Sequence, residues 1–389
     1  MNSSVTREGK AFDSNNQALV FDLYDNNKKY NLKTYLYQSY SPENSEKKGF
    51  RGSFSLSELI GNFRPGISWN GTDSYYRQND FGIYRMKDNQ AFILRLRYQI
   101  FKETKILRSF SNYLFASSRY TYETFTKKSW GFRQGNNFTF KNLMSASVDF
   151  DYTSKYKDFD ETRVKNRFFI EPENFEIQLE FKSNPRNKFT YGFEYSGTDF
   201  YNEPFDEQKN RKRFQISSDF RASNKLSFGI GSQTINTKDD VGYIERNSEK
   251  IFFGRRDVKS LENNFELLYN INTKSAISLK ARNFWSSADY DKILFELKED
   301  GNRKIVDYSN LKKDPNTNFN LWNFDLNFEW WFAPGSNLTF LYRNQIFNQD
   351  NFSYLDYNDS LSSLFDLPFQ HQVSLRINYF IDYNRLRKK

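Results

Sequence analysis

Between positions 322 and 332 the chain alternates with period two. Trp322, Phe324, Leu326, Phe328, Trp330 and Phe332 fall on one side; Asn323, Asp325, Asn327, Glu329 and Trp331 fall on the other. Successive side chains of a β-strand point to opposite faces, so the segment predicts a strand with one aromatic and one polar face. Similar runs recur along the chain. Val373, Leu375, Ile377, Tyr379 and Ile381 alternate with Ser374, Arg376, Asn378, Phe380 and Asp382. Phe175, Ile177, Leu179 and Phe181 alternate with Glu176, Gln178, Glu180 and Lys182, and Phe92, Leu94, Leu96 and Tyr98 with Arg95, Arg97 and Gln99. Such runs match the roughly 9–11 residues that a tilted strand needs to cross a bilayer. Ordinary globular strands are nearer about 5–6 residues. A soluble sheet with one wetted face also alternates. Run length, and the return of Trp and Tyr near strand ends, favour the membrane reading.

The connections predict two ends of different character. Short polar turns are expected at 25–28, 59–62, 101–105, 141–142, 183–188, 222–225, 272–274 and 333–336, the last reading Ala-Pro-Gly-Ser. Between them come longer excursions at 39–49, 72–90, 154–174, 197–211, 235–262, 286–320 and 347–370. Outer-membrane barrels pair short periplasmic turns with long extracellular loops. About seventeen strands are expected, among them 226–234, 263–271, 276–285 and 370–383. Single-chain bacterial barrels usually have an even number, so the expectation is 16–18, with one further strand upstream as the simplest repair. Residues 1–16 lack the basic start and apolar core of a signal peptide and read as a disordered or truncated remnant. The barrel is expected over 17–384, followed by a basic periplasmic tail at 385–389.

Composition narrows the choice. Phe (42) and Tyr (26) dominate the apolar residues of this 389-residue chain. Mean hydropathy is −0.85, too polar for a helical membrane protein, and no run approaches the ~18 apolar residues of a membrane helix. A barrel escapes this test because only alternate residues meet lipid. There are no cysteines, which excludes disulfides, thiolate metal sites and thiol chemistry. The net charge of +9 comes from interleaved signs with no dense basic block before the tail, so nucleic acid is not an expected partner.

The polar sides of the predicted strands carry Arg95, Arg97, Asp149, Asp151, Asp219, Arg221, Lys280, Arg282, Asp325, Glu329, Arg343 and Arg376. These are the candidate lumen-lining residues. Such a face fits either a selective pore or a polar network filling a closed interior. Arg255, Arg256 and Asp257, placed in the 235–262 excursion, could clamp an anion, but bracing of the loop by internal ion pairs is the preferred reading. The lone histidine, His371, would have to serve any Ser-His-Asp hydrolase, with Ser362, Ser363 and Asp366 nearby. That spacing matches no triad signature, so no catalytic residue is assigned. Acidic clusters at Glu299 and Asp300, and at Asp350, Asp356 and Asp359, lack calcium-loop spacing. No metal or cofactor is expected.

Several segments resemble the C-terminal barrel of a Bacteroidota outer-membrane family of unassigned function. Its full-length members carry an N-terminal domain resembling carbohydrate-binding family 9. The similar stretches are Gln78-Asn79-Asp80-Phe81-Gly82; 251–263 with its Gly254-Arg255-Arg256-Asp257 run; Ala281-Arg282-Asn283-Phe284-Trp285-Ser286; and Trp331-Phe332-Ala333-Pro334-Gly335-Ser336. The resemblance implies an all-β, antiparallel transmembrane β-barrel in the bacterial outer membrane and supplies no catalytic residues. The expected function is a non-enzymatic channel or uptake barrel. Its expected partners are outer-membrane lipid and lipopolysaccharide, the barrel-assembly machinery during insertion, and an oligosaccharide or small solute. A membrane anchor for a periplasmic sugar-binding-like domain, or a soluble β-sheet binding protein, are the alternatives.

Overall fold

The computed structural model describes residues 2–6, 13–40, 48–77, 87–164, 167–247 and 249–381. The Gln78–Gly82 motif and the tail at 385–389 lie outside them. The described residues form antiparallel β-structure with one α-helix. By compactness the chain divides into an N-terminal unit (Met1–Lys141, Ser147–Ile177 and Phe200–Asn202) and a C-terminal unit (Asn142–Ala146, Gln178–Asp199 and Glu203–Lys389).

The N-terminal unit begins with β1 (Asn2–Val5), β2 (Ser14–Tyr24), β3 (Tyr30–Tyr40) and β4 (Gly49–Glu58). It continues with β5 (Phe63–Thr72), β6 (Asn89–Ile100), β7 (Leu107–Tyr120) and β8 (Lys127–Phe140). Each of these pairs antiparallel with the next. β9 (Ser145–Thr153) follows, with the Ser154 N–H donating to the Trp130 carbonyl at 2.9 Å beside it. A small hairpin, β10 (Tyr156–Asp158) with β11 (Phe169–Glu171), comes next. β12 (Glu173–Lys182) contributes residues to both units. Within the segment expected as a disordered or truncated remnant, Asn2–Val5 pairs antiparallel with Ser14 to Gln17.

The C-terminal unit holds β13 (Phe189–Tyr201) up to Asp199, β14 (Asn210–Arg221), β15 (Leu226–Asn247), β16 (Lys250–Asn272) and β17 (Ser275–Leu297). After them come β18 (Arg303–Val306), β19 (Thr317–Ala333), β20 (Ser336–Asp350), helix α1 (Tyr357–Phe365) and β21 (Gln370–Asn378). β13 to β17 pair in sequence, β17 pairs with β19 along its first half and with β18 at its end, and β19, β20 and β21 follow.

The eight expected short turns all fall between strands. The 333–336 turn closes on an Ala333–Ser336 pair, with Gly335 at φ +73°, the left-handed position that follows proline in a type II turn and that glycine occupies without strain. Two long excursions are corrected. Most of 235–262 and the first part of 286–320 are strand, since β15, β16 and β17 run 22, 23 and 23 residues. Their polar stretches, such as Lys238-Asp239-Asp240, broke the apolar alternation without breaking the backbone ladder, and a register shift between Thr237 and Asp240 absorbs the irregularity. The 347–370 excursion contains α1, whose start is capped by Asp356 accepting the Asp359 N–H at 2.9 Å.

Register turns alternation into two surfaces. In the C-terminal unit one lateral row of directly opposed residues reads Phe189, Phe220, Phe228, Leu267, Leu279, Leu326, Tyr342 and Val373. The row one residue away, on the opposite face, reads Thr190, Asp219, Gly229, Glu266, Lys280, Asp325, Arg343 and Gln372. The N-terminal unit shows the same division: Leu23, Leu32, Leu56, Ile67, Leu94, Ala116 and Phe132 form one apolar row across seven strands. These apolar rows are not a buried core. Ile67 is 52%, Ile230 55% and Leu375 61% exposed. Contiguous bare apolar surface on this scale marks an interaction face.

Candidate functional site: a charged sheet face and its cap

From Glu266 to Arg343 the charged row alternates in sign. Lys280 Nζ lies 3.2 Å from Glu266 Oε1, and the Arg343 guanidinium grips both oxygens of Asp325 at 2.7 Å. One step along, Arg282 Nη2 donates to Glu262 at 2.8 Å, and Glu262 also accepts from Asn264 at 2.9 Å. Pairs this exposed add little stability, about 0–1 kcal/mol each. Their effect is to fix charge positions on a wetted surface. Between Asp219 and Glu266 the row carries Gly229, with Gly192, Ser217 and Ser278 near it. These small residues leave a hollow of about 580 Å³ walled by Lys182, Asp219, Arg221, Glu266 and Lys280. A second hollow of about 370 Å³ lies between the Glu266–Lys280 and Asp325–Arg343 pairs.

The other predicted face residues occupy equivalent positions. Glu329 stands opposite Thr339, which stands opposite Arg376. In the N-terminal unit, Arg95 donates to Ser68 Oγ at 2.7 Å, Arg97 stands opposite Tyr113, and the Tyr113 hydroxyl donates to Asp149 at 2.6 Å. Asp151 lies 3.5 Å from Arg133 Nε. Within each unit its candidates thus sit on the polar face of that unit's strands. His371 sits on the other one, with Nδ1 2.9 Å from the Tyr342 hydroxyl. Ser362 and Ser363 lie within α1.

Arg255, Arg256 and Asp257 belong to β16 rather than to a loop, and each has an internal partner. Arg255 reaches Asp291. Arg256 donates to Asp240 and to the Tyr290 hydroxyl, both at 2.9 Å, and Asp257 accepts the Asp239 N–H at 2.9 Å. They brace the far ends of β15–β17. There Val241, Ile251, Phe252, Phe253, Leu294, Phe295 and Leu297 make a small buried core. Onto it folds the 203–209 segment. Arg303 forms a two-pronged pair with Glu207 (2.7 Å each), and its guanidinium lies 4.5 Å from the Phe295 ring centre and 5.4 Å from that of Phe205. Lys209 Nζ lies 3.1 Å from Asp240. Burial alone would raise the Asp240 carboxyl, but Lys209 and Arg256 outweigh it and hold it below its ordinary value. No sequence signal pointed to Glu207 and Arg303, which are 96 positions apart and lie on no shared motif.

One acid in this cap is held the other way. Glu203 accepts the Lys209 N–H at 2.8 Å, yet burial, aided by the Glu207 carboxylate, pushes it up to about 7 from an ordinary 4.5. The folded cap therefore binds this proton more tightly than the unfolded chain. The stabilisation is complete below pH 4.5 and is lost as pH rises through about 7. Amide exchange in 203–209 is expected to slow, after correction for intrinsic rates, as pH falls across that window. Glu203→Gln is expected to flatten the dependence; an unchanged slope in that variant would assign the proton elsewhere.

Long antiparallel strands with one bare apolar face, one charged face and a folded cap at one end define an all-β sheet protein of two-faced design. The chain belongs to the family described as a domain of unknown function, DUF5916, whose profile matches residues 1–389. No curated protein matches it. Among solved structures it is similar to the ferric enterobactin receptor PfeA, crystallised in complex with BCV-L6. The identity is 8%, the TM-score 0.34, and the match covers 88% of this chain and 74% of that one. A likeness so slight carries no functional reading.

Proposed function

We propose that this chain is an outer-membrane β-barrel whose apolar face meets lipid and whose charged face lines a lumen for a small hydrophilic solute. The pair of adjacent rows carries the reading: eight apolar residues in register on one face, with Asp219, Glu266, Lys280, Asp325 and Arg343 one residue away on the other. In water the apolar row would be penalised at about 25 cal/mol per Å² left wet. In a bilayer that surface is satisfied, and strands can span only when closed on themselves. Crossing takes about 9–11 residues, so the 22–23 residues of β15, β16 and β17 leave their distal halves and the Glu207–Arg303 cap outside the membrane, on the long-loop side.

The test is conductance in planar bilayers. Reproducible single-channel steps are expected, and Arg343→Glu is expected to shift permeability towards cations, because rings of side-chain charge set ion preference. Membrane-inserted protein that stays silent would favour a closed scaffold over a channel.

A further inference from the structure

The N-terminal unit carries a groove on its apolar face that the charged-face function does not use. On β7 the residues facing this side are Ala116 and Ser118. Their lateral neighbours are large: Leu94 and Phe92 on β6, Phe132 and Trp130 on β8. Small residues flanked by rings leave a trough, about 630 Å³, extended by Trp69 and Phe54. Its lining is almost wholly apolar, and it runs across the strands from β4 to β8, spanning up to three residues along each of them. Trp130 also lines a second hollow, about 590 Å³, at the long-loop end of β8 and β9. That hollow holds Lys127, Lys128, Lys155 and Lys157 with Tyr152 and Tyr156.

The charge balance there is positive. Glu173 is the carboxylate of that lining, and it already accepts from the Tyr152 hydroxyl at 2.6 Å and from the Asn202 amide. Lys128 donates to the Asp88 carbonyl at 3.3 Å, with Asp88, Asp158 and Asp160 near enough to share its charge. Lys127 and Lys155 are exposed and, among the described residues, pair with no carboxylate. Lys157 lies 4.5 Å from the Phe168 ring centre. A greasy trough leading through one tryptophan into a lysine pocket flanked by tyrosines is complementary to an acyl chain joined to an anionic, sugar-bearing headgroup. Lysines bind phosphate as point charges, and aromatic rings sit naturally at the membrane–water boundary.

Resting on the barrel reading above, we infer that this face is a specific site for a phosphorylated glycolipid of the outer leaflet. An acyl chain lies in the Ala116–Ser118 trough, and a phosphate lies on Lys127, Lys155 and Lys157. The occupant is fixed by geometry. The trough opens on the lipid side, the lysines stand at its long-loop end, and the pocket above Trp130 is wider than a bare phosphate requires.

The full chain is inserted into zwitterionic phosphatidylcholine nanodiscs doped with either bis-phosphorylated lipid A or phosphatidylglycerol, and bound lipid is counted by native mass spectrometry. Retention of lipid A over phosphatidylglycerol is expected. The triple variant K127Q/K155Q/K157Q is expected to lose at least about tenfold in that preference, since each near-surface cation contributes on the order of 1 kcal/mol towards an anionic lipid. Ala116→Leu fills the trough and is expected to weaken retention with the lysines intact, while K212Q, on exposed β14, changes nothing. Equal retention of the two lipids, or a preference untouched by both variants, overturns the site while leaving the barrel standing. Failure of the unaltered chain to insert would instead overturn the barrel reading on which the site rests.

Discussion

Replacing Arg303 by alanine is expected to destabilise the cap by about 3–5 kcal/mol, the usual result of stranding one partner of a buried ion pair. Arg303 and Glu207 are 4% and 1% exposed at the side chain, so water cannot take over from either. The variant leaves the Glu207 carboxylate dry and without its two N–H donors, and removes the plane filling the space against Phe295 and Phe205. The double replacement Arg303→Met with Glu207→Leu removes both charges and keeps apolar volume, and is expected to recover most of the loss. Protease cleavage within 203–209 reads the effect: rapid in Arg303→Ala, slow in the double variant. On the proposed barrel, heat-modifiable gel mobility should not change in either, because β18 and the 203–209 segment would lie beyond the spanning halves of the strands. Equal cleavage in all three proteins would mean that the pair does not hold the segment down.

The division of faces was legible because it depends on period-two alternation, a local property. Each of the twelve charges assigned to the polar side, from Arg95 to Arg376, follows from its parity within a run such as Phe324-Asp325-Leu326. The short turns were legible for the same reason: residues such as Pro334-Gly335 specify a reversal over four positions. The distal strand halves were not. Beyond Thr237 the apolar period stops, and β15 to β17 continue because backbone pairing is insensitive to side-chain polarity; sequence alone reads that loss of contrast as loop. Helix α1 was hidden because nine residues hold only about two and a half turns. Its buried contacts are long-range: the Asn263 amide donates to the Tyr357 hydroxyl, and Ser360 sits between Asn318 and Asn320. The trough beside Ala116 was invisible for a further reason. It arises from what neighbouring strands place on either side of a small residue, and only register reveals that.

The sharpest separation of the two faces is expected from two adjacent positions on β19. Leu326 stands between Leu279 and Tyr342 on the apolar face; Asn327 stands between Ser278 and Leu341 on the other. Leu326 is about seven residues from the 333–336 turn. At about 3.3 Å per residue and a tilt of about 45°, that would be roughly 16 Å in the proposed barrel, near the middle of the hydrocarbon. Arginine at such a depth on a lipid face costs about 2–4 kcal/mol, whereas on a lumen face it changes selectivity rather than stability. Leu326→Arg is therefore expected to lower the urea midpoint of the protein folded into phosphatidylcholine vesicles by the equivalent of that cost. Asn327→Arg is expected to stay within about 0.5 kcal/mol of the parent. The single-residue offset makes the comparison strict. Both variants add the same group to the same strand, at nearly the same depth, so only the medium each face meets can distinguish them. Equal midpoints for the two variants would mean that both faces meet water, and the lipid-facing assignment of Phe189, Leu279, Tyr342 and the rest of their row would fall with it.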